Sequence, residues 1–277
     1  MNHINPYLRA HQERDVWGGF EAERLKTMDE LLTITACKDL QPTLEAIRDT
    51  PSYLLDIGAG TGTTIKELCE PSGATYIALD ANTAILEARG EHEIKVKARS
   101  EDLPLPDGSI DITYSRAVTA WSARPKEVIA EQLRVTKQGG TAIFTEFDWS
   151  KAGPGKHSGA EEVELISRMR DTMLGVLQNL GFQPNYGARL GTEIDEVTQE
   201  EGIYCERHEQ THEFPEGDHS QLLHGVINNL VEQLRLNPTE PAQHLANGLE
   251  ADMIRFQALG HHSFNIPVLI TQKINVF

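Results

Sequence analysis

Short apolar runs alternate with helix-like stretches between residues 53 and 147 of this 277-residue chain. The run at 53–57 (YLLDI) ends in glycines, and 63–70 then takes on helical character. A second strand is predicted over 75–79 and a helix over 82–89. Apolar and basic residues alternate over 94–98, as in a partly exposed strand. The Pro-Asp-Gly turn at 106–108 leads into a fourth strand over 110–114. A helix over 125–135 stops before Gly139-Gly140, and a fifth strand follows over 141–147. Strands and helices in alternation predict a parallel sheet covered by helices on both faces.

The C-terminal half changes rhythm. Val163, Ile166, Met169, Met173, Val176 and Leu180 recur at three- and four-residue steps, which predicts an amphipathic helix stopping at Gly181. Residues 203–214 read as a strand bounded by Gly202 and Pro215. Leu223, Ile227, Leu230 and Leu234 stripe one further helix; Leu245, Leu249, Met253 and Phe256 stripe another, with Pro241 near its start. Strand character returns over 266–276, and residues 1–50 read as helical. Without a repeat or a low-complexity linker, one domain over 1–277 is expected. It comprises a helical cap at 1–50, a core at 51–150, and a C-terminal half at 151–277 with inserted cap helices at about 217–260.

Charge narrows the partners. Lys and Arg number 25 against 42 Asp and Glu, a net charge of −17, so general nucleic-acid binding is not expected. The longest apolar runs fall short of the roughly 20 residues of a spanning helix, and the opening residues lack the apolar stretch of a signal peptide. Three scattered cysteines make no disulfide framework. The expectation is a cytoplasmic protein with no membrane and no nucleic-acid partner.

The most informative segment is Leu54-Leu55-Asp56-Ile57-Gly58-Ala59-Gly60-Thr61-Gly62. A glycine turn after a buried strand lets the backbone approach a ligand closely, and the next helix offers free N–H groups there. Asp80 ends the following strand, where a carboxylate can accept both hydroxyls of a ribose; its simpler role is to cap the helix near Asn82. The glycines fall at 58, 60 and 62 with Thr63 next, which departs from the dinucleotide pattern G-x-G-x-x-G. A P-loop is absent, and no Tyr is followed four residues later by Lys. The pattern suits a nucleoside ligand without a pyrophosphate.

These residues resemble the class I S-adenosylmethionine-dependent methyltransferases, in the small-molecule (methyltransferase type 11) branch typified by ubiquinone and menaquinone biosynthesis enzymes. LLDIGAGTG is similar to the family's first motif and Leu79-Asp80 to its second. Residues 100–105 (SEDLPL), 110–116 (IDITYSR) and 133–140 (LRVTKQGG) resemble three later segments. The resemblance covers residues 50–150. It implies a Rossmann-like α/β fold with a seven-stranded, mostly parallel sheet, the last strand antiparallel between its neighbours, plus helical cap elements. It further implies S-adenosylmethionine as cofactor, S-adenosylhomocysteine as product, and a small-molecule acceptor methylated on O, N or C. By position, Gly58, Ala59 and Gly60 meet the amino-acid portion of the cofactor and Asp56 supports its amine. Asp80 and Ala81 lie at the ribose, Ser100 and Glu101 at the adenine edge, and Ser115 near the methionyl end. Arg99-Ser100 stands where many relatives carry Asp-Ala.

Methyl transfer from a sulfonium releases a neutral thioether, so the protein's tasks are alignment, exclusion of water and removal of any acceptor proton. Arg116, Glu146, Asp148 and Trp149, beyond the fourth and fifth strands, are expected to face the crevice, with Trp17 and Phe20 lining the acceptor pocket. Arg116 pairing with a carboxylate and Trp149 packing as core are their structural alternatives. His11, His219 and His261 are the histidines considered as bases; none is singled out. His208-Glu209-Gln210-Thr211-His212 matches H-E-x-x-H, a zinc motif only on a helix. A strand sets the two imidazoles about 13 Å apart, and no metal is expected. Three rivals stand beside methyl transfer: a nucleotide-dependent oxidoreductase, a non-catalytic nucleoside-binding module, and a non-methyl transferase on the same fold.

Overall fold

The computed structural model describes residues 38–60, 64–90, 93–179, 181–213, 220–236, 239–259, 264–265 and 267–277. Trp17, Phe20, Gly62, Thr63, His11, His219 and His261 lie outside them. A first helix, α1, covers 38–46, followed by β1 (Tyr53–Ile57), α2 (Thr64–Cys69), β2 (Thr75–Asp80), α3 (Thr83–Glu87) and β3 (Ile94–Lys97). Next come β4 (Ile110–Arg116), α4 (Pro125–Val135), β5 (Thr136–Asp148), α5 (Ala160–Asn179) and α6 (Gly187–Glu201). The chain closes with β6 (Cys205–His212), α7 (Ser220–Leu236), α8 (Glu240–Ala258) and β7 (Val268–Val276). Two residue pairs, Gly153–Pro154 and Phe264–Asn265, form a separate short ladder.

The seven strands lie in the order β3-β2-β1-β4-β5-β7-β6, with β7 antiparallel to both neighbours and the other pairings parallel. This is the fold expected from the sequence, including the reversed last strand. From β1 the chain builds outward to β2 and β3, then returns to build β4 and β5 on the other side. The switch point therefore lies between β1 and β4, and open parallel sheets bind ligands at the carboxyl ends of such strands.

Alternation along the strands sends Leu54 and Asp56 to one face and Leu55 and Ile57 to the other. Leu54 packs with Leu40, Leu44, Ile65, Ile112 and Ile143, whereas Leu55 and Ile57 pack with Ile77, Leu79, Ile110 and Val135. The largest core joins Phe144 to Ile129, Met169, Met173, Leu190, Leu249 and Phe256, so α4, α5, α6 and α8 all lean on it. Helix α6 is not among the elements expected from the sequence. It presents only Leu190, Ile194 and Val197 as buried large apolar residues, and glycines stand at 187 and 191.

The H-E-x-x-H stretch is strand β6, as expected. His212 turns into the core and pairs its Nε2 with Asp39 Oδ1 at 2.8 Å, whereas exposed His208 lies by Glu206. Asp39 Oδ2 also accepts from Thr271 Oγ1 (2.6 Å), which lies 3.1 Å from Thr145 Oγ1. This buried chain ties α1 to β5, β6 and β7. Asp39→Ala leaves both donors unsatisfied and is expected to cost about 3 kcal/mol, measurable by urea unfolding. Among the described residues no group of three or more His, Cys, Asp or Glu is placed to hold a metal, and no helix is long and apolar enough to cross a membrane.

Candidate cofactor site

Strand β1 ends in a turn that only small residues can make. Gly58 and Gly60 have φ of 67° and 54°, in the left-handed region that a β-carbon disfavours. A β-carbon on Gly58 would stand 2.4 Å from Val118 Cγ2, so the side chain after β4 lies directly on this glycine. Ala59 N donates to Leu79 O (2.9 Å), tying the turn to β2. Gly58→Ala combines left-handed strain with overpacking and is expected to destabilise the fold by roughly 2–4 kcal/mol. Adding Val118→Ala should restore only the packing part, and chemical denaturation of the single and double variants would separate the two.

Asp80 stands at the tip of β2. Its Oδ2 accepts from Gly60 N (3.0 Å) and its Oδ1 from Asn82 N (2.8 Å). Helix α3 is instead capped by Asn82, whose side chain accepts from Ala84 N (3.0 Å). Asp80 is thus bound to the glycine turn and not spent on the helix. Burial raises its pKa from the ordinary carboxylate value, against the backbone N–H donors around it.

Behind the turn sits Arg89, a residue that the sequence pattern did not single out. Its Nη1 donates to the carbonyls of Ala59 (3.1 Å) and Gly60 (2.8 Å), and its Nη2 to Tyr76 Oη (2.8 Å). Nε pairs with Glu93 at 2.7 Å, and Glu93 also meets Lys66 at 3.3 Å. Tyr76 in turn donates to Asp56 Oδ2 at 2.7 Å. The only local sign was the i,i+4 pair of Arg89 and Glu93, which is common on solvated helices.

The remaining expected residues separate into two groups. Ala81 follows Asp80 at the end of β2, and Ser100 precedes Glu101 beyond β3, both half-buried. Glu101 accepts from Ser122 Oγ (2.6 Å) and Arg99 (3.2 Å). Burial alone would raise its pKa, but these partners hold it below the ordinary value. Arg116 is half-buried at the end of β4. Ser115 is 1% exposed, and its Oγ has no hydrogen-bond partner among the described residues.

The three residues expected to face the crevice from the end of β5 are occupied by internal contacts. Asp148 accepts from Ser150 N (3.0 Å) and Ser150 Oγ (2.6 Å), capping the turn that follows. Trp149 is core, with its ring 5.9 Å from that of Phe147. Glu146 is 1% exposed, with Oε1 accepting from the N–H groups of Val118 (3.0 Å), Thr119 (2.6 Å) and Ala120 (3.4 Å). Burial pushes its pKa up to about 7, against those three donors. A raised carboxyl pKa means the folded chain keeps a proton that the unfolded chain releases. Its contribution to stability is therefore fullest below the ordinary carboxylate value of 4.5 and is lost as pH rises through about 7. Glu146→Gln is expected to show a shallower fall in that window, read from urea midpoints between pH 4.5 and 8.

Residues 55–144 match the family model described as a methyltransferase domain. The chain is 31% identical over 156 residues to the biotin biosynthesis bifunctional protein BioHC of Cellvibrio japonicus, covering 55% of this chain and 28% of that one. It is 33% identical over 105 residues to the demethylmenaquinone methyltransferase of Renibacterium salmoninarum, covering 36% and 44%. The matched stretch thus spans less than half of either relative. Among solved structures, the YcgJ protein of Bacillus subtilis superposes with a TM-score of 0.50 at 16% identity, covering 84% of this chain and 95% of that one. Phospholethanolamine N-methyltransferase 2 of Haemonchus contortus also gives 0.50, at 12% identity, covering 99% and 61%. At such identities these two likenesses bear on the fold alone. The glycine turn and the strand-tip carboxylate both fall inside the stretch that is similar to the methyltransferase domain, and the reversed last strand completes the fold shared with the two solved structures.

Proposed function

We propose that this protein transfers the methyl group of S-adenosylmethionine to an O, N or C atom of a small-molecule acceptor. The observation that carries the reading is the bond between Asp80 and Gly60 N, which sets a half-buried carboxylate against the glycine turn at the switch point. A carboxylate offers roughly four lone-pair positions. The N–H groups of Gly60 and Asn82 take two, leaving acceptors for the two hydroxyls of a ribose. Gly58, Ala59 and Gly60 would cradle the amino-acid portion, with Asp56 supporting the amine. Ala81, Ser100 and Glu101 would border the nucleoside, and Ser115 the methionyl end.

When bound, the cofactor supplies an electrophilic methyl on a sulfonium. The chain's part is to hold, align and exclude water. Arg116, half-buried at the mouth of the crevice, is the charged group we assign to the acceptor side. The domain boundaries expected from the sequence belong to the same proposal, with α7 and α8 beside the acceptor. Relatives named for biotin and menaquinone pathways support a metabolite as the acceptor. Incubation with methyl-labelled S-adenosylmethionine and a metabolite pool is expected to yield S-adenosylhomocysteine and a product heavier by one methyl group. Cofactor consumption with no methylated product would point to another transfer, and absence of cofactor binding would remove the reading.

A further inference from the structure

The loop after β4 has no ladder to hold it, yet its place is narrowly set. Ala117 lies at φ 54°, where a β-carbon is disfavoured, with its N–H on Thr145 O at 2.8 Å. The next three N–H groups converge on the single oxygen Glu146 Oε1. Val118, so placed, rests on Gly58. Glu146 Oε2 and Thr119 Oγ1 are both buried. On the helix side the titratable neighbour is Tyr186, whose hydroxyl is donated to Glu193 at 2.6 Å. No ion pair accounts for the burial of Glu146 among the described residues.

We propose that Glu146 is a positioning residue of the cofactor pocket: by gathering the N–H groups of 118–120 it seats Val118 over Gly58 and so shapes the wall beside the glycine turn. The inference rests on the reading that the cofactor lies over residues 58–60. A carboxylate or a neutral carboxyl can each accept at Oε1, so the clamp needs the oxygen more than the charge. A glutamine keeps that oxygen, whereas an alanine abandons three backbone donors, two of them buried.

Calorimetric titration of the full chain with S-adenosylhomocysteine tests this. Glu146→Ala is expected to weaken binding about tenfold or more, and Glu146→Gln to stay within about threefold of wild type, because the amide oxygen replaces the lost acceptor. Val118→Ala, which leaves the clamp intact, is expected to weaken binding without lowering the melting temperature appreciably. A folded Glu146→Ala variant with wild-type affinity overturns the proposal, as does glutamine weakening binding as much as alanine. Should the alanine variant fail to fold, wild-type affinity in Val118→Ala overturns it equally. If wild type itself does not bind the nucleoside, the reading of the site fails; if it binds and the variants bind alike, only the role of Glu146 fails.

Discussion

Asp80→Ala is expected to abolish most of the affinity for S-adenosylhomocysteine while leaving the sheet folded. Two hydrogen bonds to a half-buried carboxylate contribute about 3 kcal/mol, and tenfold in affinity corresponds to about 1.4 kcal/mol, so the loss is about 100-fold. The alanine also releases Gly60 N and Asn82 N, which loosens the turn. Asp80→Asn separates these effects. Its single carbonyl oxygen can satisfy one backbone donor but no longer serves two hydroxyls as well, so binding falls while the melting temperature moves little. Calorimetry beside thermal unfolding reads both, and undiminished affinity in a folded Asp80→Ala protein would remove Asp80 from the site.

Arg89→Met carries the second large expected effect, on stability first. The stem keeps its volume, but the guanidinium bonds to Ala59 O, Gly60 O, Tyr76 and Glu93 all disappear. Glu93, only 6% exposed in its side chain, retains Lys66 as its remaining cation. Breaking a buried pair by removing one partner costs about 3–5 kcal/mol, and urea unfolding should show a loss of that size. Arg89→Lys should recover only part of it, since an ammonium cannot reproduce the planar fork that spans two carbonyls and a phenol. Cofactor affinity is expected to fall as well, because the turn loses the donor that holds its carbonyls back.

The two predictions differ in how visible their residues were beforehand. Asp80 ends an apolar run one strand after a glycine turn, so its place was legible from spacing alone. Arg89 looked like any cation in a helix tail; its role depends on contacts 13, 29 and 30 residues away in the chain. Glu146, Asp148 and Trp149 show the reverse. Position at the end of β5 predicted three crevice residues, but the side chains are spent on a loop clamp, a turn cap and the core. Strand order tells which end of a sheet a residue occupies. It does not tell which neighbours compete for its polar atoms.

From the sequence alone came the order of strands and helices, the reversed last strand by family likeness, the glycine turn and its acidic partner. Apart from the reversed strand, which the resemblance implied, these depend on local periodicity and on backbone freedom, which neighbouring residues encode. What only the tertiary structure decided is the support beneath that site: Arg89 under the turn, Glu146 under the loop after β4, and Asp39 pinning the first described helix to strands β6 and β7. Each of these joins segments far apart in the chain, the last across 173 and 232 residues. Buried polar groups must find partners wherever packing brings them, and that choice is settled only when the sheet has closed on its helices.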